Sequence, residues 1–197
     1  MLGVEAVSKA NSGHPGIVLG AAPIMYALFR NHLVYNPKNP TFFNRDRFVM
    51  SAGHGSALLY ATMLVAGYKS ITMEDLKDFR KLGSKTPGHP ENAVLEGVEV
   101  STGPLGQGVA MAVGLAIAEK KLANKYNQYT KLIDHHTYCL FGDGCMEEGI
   151  FYEAISVAGK LKLNKLIMLY DSNHVQLDGR VEDSTSTNVK KLFKSVD

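Results

Sequence analysis

The sequence predicts an α/β fold in three layers, a parallel sheet with helices on both faces. Three observations point there. Thr137 to Phe141 and Leu166 to Tyr170 are short apolar runs of β-favouring residues, without the alternation of a half-exposed strand. Glu147 to Leu161 between them reads as a helix, so strand, helix and strand form a βαβ unit. The chain has 197 residues and is 45% hydrophobic, enough for a domain with a sizeable core.

The other elements follow in chain order. Val4 to Ala10 reads as the end of a helix, closed by the turn Asn-Ser-Gly-His-Pro-Gly. Ile17 to Leu33 reads as one buried helix, in which Pro23 is tolerable only near the start or at a kink. A Pro- and Asn-rich loop, Asn36 to Asp46, leads to a short strand, Arg47 to Ser51. Gly53-His54-Gly55 then opens an apolar helix running through Val65. Thr72 and Asp75 make an approximate capping box for a helix carrying Leu76 and Phe79. Gly83 to Gly108 is a long Gly- and Pro-rich stretch, and such loops in compact domains are usually functional or disordered. Val109 to Ala118 is apolar all round, the pattern of a buried helix that emerges at Lys120 and Lys121. Ser184 to Thr187 reads as a loop before a last helix, Asn188 to Ser195.

Composition excludes several function classes. The net charge is +2, with 21 Lys and Arg against 19 Asp and Glu, so neither nucleic acid nor a membrane surface is an expected partner. Two cysteines, Cys139 and Cys145, are too few for a disulfide scaffold, and Cys145 reads as a small buried side chain. The N-terminus lacks the layout of a secretory signal, and no apolar run reaches membrane-spanning length. These features predict a cytoplasmic protein.

Two constellations carry chemistry. Three histidines, His14, His54 and His89, directly follow glycine, two of them in Gly-His-Pro turns. Glycine there permits unusual backbone angles and close ligand approach. Each alone is also what a tight turn looks like, but three together predict a common cleft. His32, His135 and His136 read as ordinary surface residues. The second constellation is Gly142-Asp143-Gly144 at the end of one strand, with Asn173 just beyond the next. Ligands of open α/β sheets bind at the carboxyl ends of strands. Asp143 offers a carboxylate, Asn173 an amide carbonyl and Val175 a backbone carbonyl, hard oxygens that suit Mg²⁺ beside a diphosphate. Gly-Asp-Gly by itself also describes any strand-ending turn, and the downstream Asn sharpens it.

Taken in order, the motifs resemble the transketolase family. They are Ser12-Gly-His-Pro-Gly16, Asp46-Arg-Phe-Val-Met-Ser-Ala-Gly-His54, Gly83-Ser-Lys-Thr-Pro-Gly-His-Pro90, Ser101-Thr-Gly-Pro-Leu-Gly-Gln-Gly108, Gly142-Asp-Gly-Cys-Met-Glu-Glu-Gly149 and Tyr170-Asp-Ser-Asn173. The resemblance implies thiamine diphosphate with Mg²⁺, or another divalent cation such as Ca²⁺ or Mn²⁺, as cofactors. It also implies two-carbon ketol transfer from a ketose phosphate to an aldose phosphate. His14 and His89 would act on the substrate, and His54 would bind the cofactor diphosphate. Gly103, Pro104 and Leu105 would contact the thiamine rings. Asp143, Asn173 and the Val175 carbonyl would bind the metal, with Gly144 and Asn173 touching the diphosphate. Glu148 and Glu153 match family carboxylates at a dimer interface, although Glu153 also reads as a solvated helix residue.

The family pattern is left at Asp197, inside the diphosphate-binding domain. Residues 1–197 are expected to be a partial domain, incomplete at its C-terminus, without the pyrimidine-binding and C-terminal domains of the family. The implied partners are sugar phosphates and either a second copy or a complementing chain that carries the pyrimidine domain. Alone, the chain is expected to be inactive. The competing expectation is a non-catalytic thiamine-diphosphate-binding or interaction module. His174, and Val175 where isoleucine is common, are minor departures, because a backbone carbonyl ligand tolerates either side chain.

Overall fold

The computed structural model describes residues 1–176 and 179–196; Asp197, the last residue of the expected domain, lies outside them. Strands β1 (Arg47–Met50), β2 (Thr137–Gly142) and β3 (Leu166–Asp171) form a parallel sheet in the order β1-β2-β3. Arg47 pairs with Thr137, Thr137 with Leu166, and Gly142 with Asp171. Because the strands are parallel, Ser51, Asp143 and Ser172 all leave the sheet at the same end.

Side chains of each strand alternate between two apolar cores. Phe48, Met50 and Leu140 join Val7, Ile17, Met25, Leu59 and Phe79 on one face. That layer holds helices α1 (Leu2–Ala10), α2 (Pro15–Gly20), α3 (Ala22–Ala27), α4 (Ser56–Val65) and α5 (Met73–Lys77). Val49, Cys139 and Phe141 join Val109, Val113, Phe151 and Ile155 on the other face. That second layer holds α6 (Gln107–Tyr126), a short turn α7 (Asp143–Met146), α8 (Gly149–Lys160) and α9 (Val189–Ser195). A small hairpin, β4 (Val175–Gln176) with β5 (Gly179–Arg180), follows β3. The expected three-layer α/β architecture is present. Both cores bury large apolar side chains, which near full burial contribute about 1.5–3 kcal/mol each.

Local differences from the sequence reading have physical causes. Ile17 to Leu33 is not one helix. It breaks at Ala21, restarts with Pro23 in the first turn of α3, and ends as a π-helix over Leu28–His32. Proline lacks an N–H donor and is accommodated where the helix has no partner for one. The capping box forms, with the Thr72 hydroxyl accepting the Asp75 N–H at 3.2 Å and the Asp75 carboxylate accepting the Thr72 N–H at 2.8 Å. The helix it starts ends at Lys77, so Phe79 lies beyond it, buried against the core. The Val109 to Ala118 part of α6 is apolar all round yet buries one face only; Met111 is exposed there. Glu147 lies outside α8, which begins at Gly149 with Glu148 as its N-cap.

The amino end of the sheet is pinned by polar contacts. Buried Asp46 accepts the N–H groups of Val34 and His136, at 2.8 and 2.6 Å. Lys165 bridges Glu119 and Asp134 at 2.6 and 2.7 Å. His135, read from sequence as a surface residue, is buried in this region, with Nδ1 3.3 Å from Asn44 Oδ1. Its neighbour His136 is partly exposed. Among the described residues, no helix is long and apolar enough to cross a membrane.

Candidate active site

Three loops at the carboxyl end of the sheet bring the glycine-flanked histidines together. His14 is the residue before α2, and His54 sits in the 3-10 turn Gly53–Gly55 that joins β1 to α4. Their ring centroids lie 5.0 Å apart, edge to face. His89 comes from the long loop before α6, whose backbone is clamped onto α4. The Ser56 hydroxyl donates to the Gly88 carbonyl at 2.7 Å. The Tyr60 hydroxyl donates to the carbonyls of Pro87 and His89 at 3.0 and 3.1 Å. The common cleft expected from the sequence is therefore assembled.

All three imidazoles are pushed below the ordinary histidine value, which favours their neutral forms. Burial lowers His54 to about 4, with further depression by His14 and His89. His14 is lowered by burial, then by the Arg80 charge and by His89, although its ring keeps an open face. His89 is lowered by burial and by Arg80, with Glu91 opposing. The cleft thus presents neutral rings, each able to donate from one nitrogen and accept on the other. Such rings act on developing charge by hydrogen bonding, without a resident positive charge of their own.

Beside this cleft is a set of oxygens. Asp143 follows β2 directly and is buried. One carboxylate oxygen, Oδ1, accepts the Tyr170 hydroxyl; the other, Oδ2, is buried with no hydrogen-bond partner. Burial raises Tyr170 to about 12, with the Asp143 contact adding to it. Asp171 is raised by burial first and also by the Asp143 charge, which places the two carboxylates near each other. Asn173 Nδ2 donates to Asp171 at 3.1 Å, and Asn173 Oδ1 accepts the Val175 N–H at 3.0 Å. This closed turn puts His174 in the left-handed region, at φ 61°. Asp143, Asn173 and Val175 are thus placed on neighbouring strand ends. A buried carboxylate oxygen lacking a partner carries a desolvation cost that a cation would offset. Among the described residues no three His, Cys, Asp or Glu side chains converge on one point, so a metal here would also draw on amide and carbonyl oxygens. Such a hard-oxygen donor set fits Mg²⁺.

The segment Gly103, Pro104 and Leu105 links the two groups. A Cβ on Gly53 would lie 2.8 Å from the Gly103 nitrogen, so these backbones touch. Gly103, at φ 153°, faces the His89 ring, and a Cβ there would come within 3.2 Å of it. Leu105 reaches the other way, and a Cβ on Gly144 would lie 3.1 Å from its Cδ1. Pro104 and Leu105 are exposed, as a surface that meets a ligand would be. The Ser51 hydroxyl meets the buried Cys145 sulfur at 3.6 Å and ties the end of β1 to α7 beneath the site. Glu148, the N-cap of α8, is exposed but lies against the residue after Leu105: a Cβ on Gly106 would come within 2.8 Å of its Cβ, whereas Glu153 is exposed one turn further along α8.

Three residues here escaped the sequence reading. Arg80 acts on the histidines from a non-glycine left-handed position, φ 64°, which no local pattern marks. Tyr170 and Asp171 lie within a quoted motif, but only the Gly142–Asp171 register shows that they meet Asp143.

Comparisons with known proteins give the family and the fold. A family model described as "Transketolase, thiamine diphosphate binding domain" matches residues 1–197. A transketolase of Nostoc sp. is 56% identical over 195 residues, covering 98% of this chain and 29% of that protein. The structure of transketolase from Leishmania mexicana superposes with a TM-score of 0.97 at 49% identity, covering 99% of this chain and 29% of that one. A Pichia stipitis transketolase in complex with sedoheptulose-7-phosphate gives 0.96 at 49% identity, with the same coverage. The chain thus spans under a third of the length of these relatives. With motif order, fold and strand-end geometry in agreement, the chain belongs to the transketolase family, within its thiamine diphosphate-binding domain.

Proposed function

We propose that these residues supply the diphosphate- and metal-binding half of a transketolase active site, serving two-carbon ketol transfer from a ketose phosphate to an aldose phosphate. The observation that carries this reading is the buried, unpartnered Oδ2 of Asp143, at the strand end that pairs with Asp171. Asp143, the Asn173 amide oxygen and the Val175 carbonyl would hold Mg²⁺, or Ca²⁺ or Mn²⁺ in its place. Asn173 Oδ1 already accepts one N–H, and an amide oxygen has a second lone pair for a cation. When bound, thiamine diphosphate supplies the carbanion chemistry that carries the two-carbon unit. His54, half-buried, would donate to a diphosphate oxygen, and Gly144 would leave the backbone open to the same group. Gly103 to Leu105 form a wall against the thiamine rings.

His14 and His89 face the substrate side. As neutral imidazoles they hydrogen-bond substrate oxygens and move protons to and from them. A sugar phosphate as substrate accords with the complex named for the Pichia stipitis relative. Self-association, or pairing with a chain carrying a pyrimidine-binding domain, is supported by exposed apolar residues on α6 and α8. Met111, Leu122, Ile150, Tyr152 and Val157 are all more than a third exposed. Glu148 and Glu153 border that surface and would meet the partner. A cytoplasmic location fits the finding that no helix among the described residues is long and apolar enough to cross a membrane.

A coupled assay tests this function. The 197-residue chain alone should give no turnover, and turnover should appear when a pyrimidine-domain chain is added. Turnover by the chain alone would overturn the half-site reading. Cofactor binding with no turnover in the presence of the partner would identify a non-catalytic module instead.

A further inference from the structure

We propose that Arg80 is a positioning residue for the histidine cleft: its guanidinium braces the two Gly-His-Pro turns against one another, so that His14 and His89 face the same space. The functional part of this inference rests on the cleft being the substrate side of the site; the brace itself does not. Four observations carry it. Arg80 Nη1 donates to the Ser12 hydroxyl at 2.7 Å, two residues before His14. Its Nε lies against Gly88, one residue before His89, so closely that a Cβ on Gly88 would come within 3.1 Å. One side chain therefore touches both turns, which are more than seventy positions apart in the chain. The guanidinium also lies 5.6 Å from the centre of the Phe79 ring, and the Phe79 edge would be 3.2 Å from a Cβ on Gly13. The Phe79-Arg80 pair thus supports the first turn from beneath and from the side.

The backbone beneath this side chain is strained. Arg80 adopts φ 64°, a left-handed region that residues with a Cβ avoid. It is held there because its N–H donates to the Thr86 carbonyl at 2.9 Å, while the buried Thr86 hydroxyl donates to the Asp75 carbonyl at 2.6 Å. Glycine would take this conformation freely, but it could not reach Ser12 or Gly88. The buried Nε has no hydrogen-bond partner, a second local cost. Strain and an orphaned donor at one residue, both beside a candidate site, mark a position kept for its side chain.

The charged groups facing His14 and His89 are Arg80 and Glu91, with the His54 ring as a further titratable neighbour of His14, and the Arg80 charge lowers both His14 and His89. Histidine NMR reads the brace without cofactor or turnover, so its result is independent of the proposed reaction. Two variants are needed. Arg80→Gly removes the guanidinium and accepts the left-handed backbone, so the fold should persist by circular dichroism. The His14 and His89 titration midpoints should rise by roughly half a pH unit or more, and the contact between the His14 and His54 rings should weaken. Arg80→Lys keeps the charge but loses the planar fork. It should leave both midpoints low while still weakening the ring contact, and it carries the test alone if Arg80→Gly does not fold. A folded Arg80→Gly chain with unchanged midpoints and ring contact would overturn the proposal. So would an Arg80→Lys chain with the original ring contact.

Discussion

His54 is the ring of the cleft whose titration is displaced furthest, because burial and two neighbouring imidazoles push it down to about 4. In the unfolded chain the same ring titrates near 6.5. Between those values the unfolded state binds the extra proton, so stability rises with pH across this window. The folded chain should be at full stability above about pH 6.5. It should lose up to about 1.4 kcal/mol for each unit of acidification toward pH 4 through this ring. Urea melts between pH 4 and 7.5 measure this slope, and His54→Gln should flatten it; an equally steep slope in the variant would contradict the burial argument. The identity of these residues was legible in the sequence, since Gly-His turns and a strand-ending Gly-Asp-Gly are local signals. Their protonation was not, because it depends on Arg80 and on rings brought from distant loops.

At the scale of elements, the glycines of α6 separate close approach from mere permissiveness. Gly108 lies where the first turn of α6 crosses the end of β1, and a Cβ there would be 2.6 Å from the Ser51 Cα. Two backbones meet at that point, so Gly108→Ala should cost about 1–3 kcal/mol through overpacking. Gly114, two turns later on the exposed side, would meet nothing within 4 Å. Gly114→Ala should therefore stabilise the chain by about 0.5–1 kcal/mol, the usual gain in a helix interior. Thermal melts of the two variants check the pair, and shifts of the same sign would contradict it. Strand and helix assignments followed from apolar runs and the capping box. The break at Ala21 and the π-helix at Leu28–His32 did not, because tertiary packing overrode a continuous apolar pattern. The single buried face of Val109 to Ala118 in α6 was also beyond periodicity, since an all-apolar stretch looks the same whichever side the core takes.

For the whole molecule, parallel strand direction accounts for the site. β1, β2 and β3 deliver His54, Asp143 and Asn173 to one end of the sheet, while the opposite end is pinned by Asp46, Glu119 and Lys165. The loop carrying His89 and Gly103 to Leu105 then closes over that end and joins the histidine cleft to the acidic one. The central claim is that this end is a metal-dependent diphosphate site organised around Asp143. Calorimetric titration of the chain with thiamine diphosphate, with Mg²⁺ and then with a chelator, tests it most directly when repeated on Asp143→Ala. Saturable binding should appear with Mg²⁺, vanish with the chelator, and weaken at least about tenfold in the variant, about 1.4 kcal/mol. Binding of equal strength with the chelator, or in Asp143→Ala, would contradict the account.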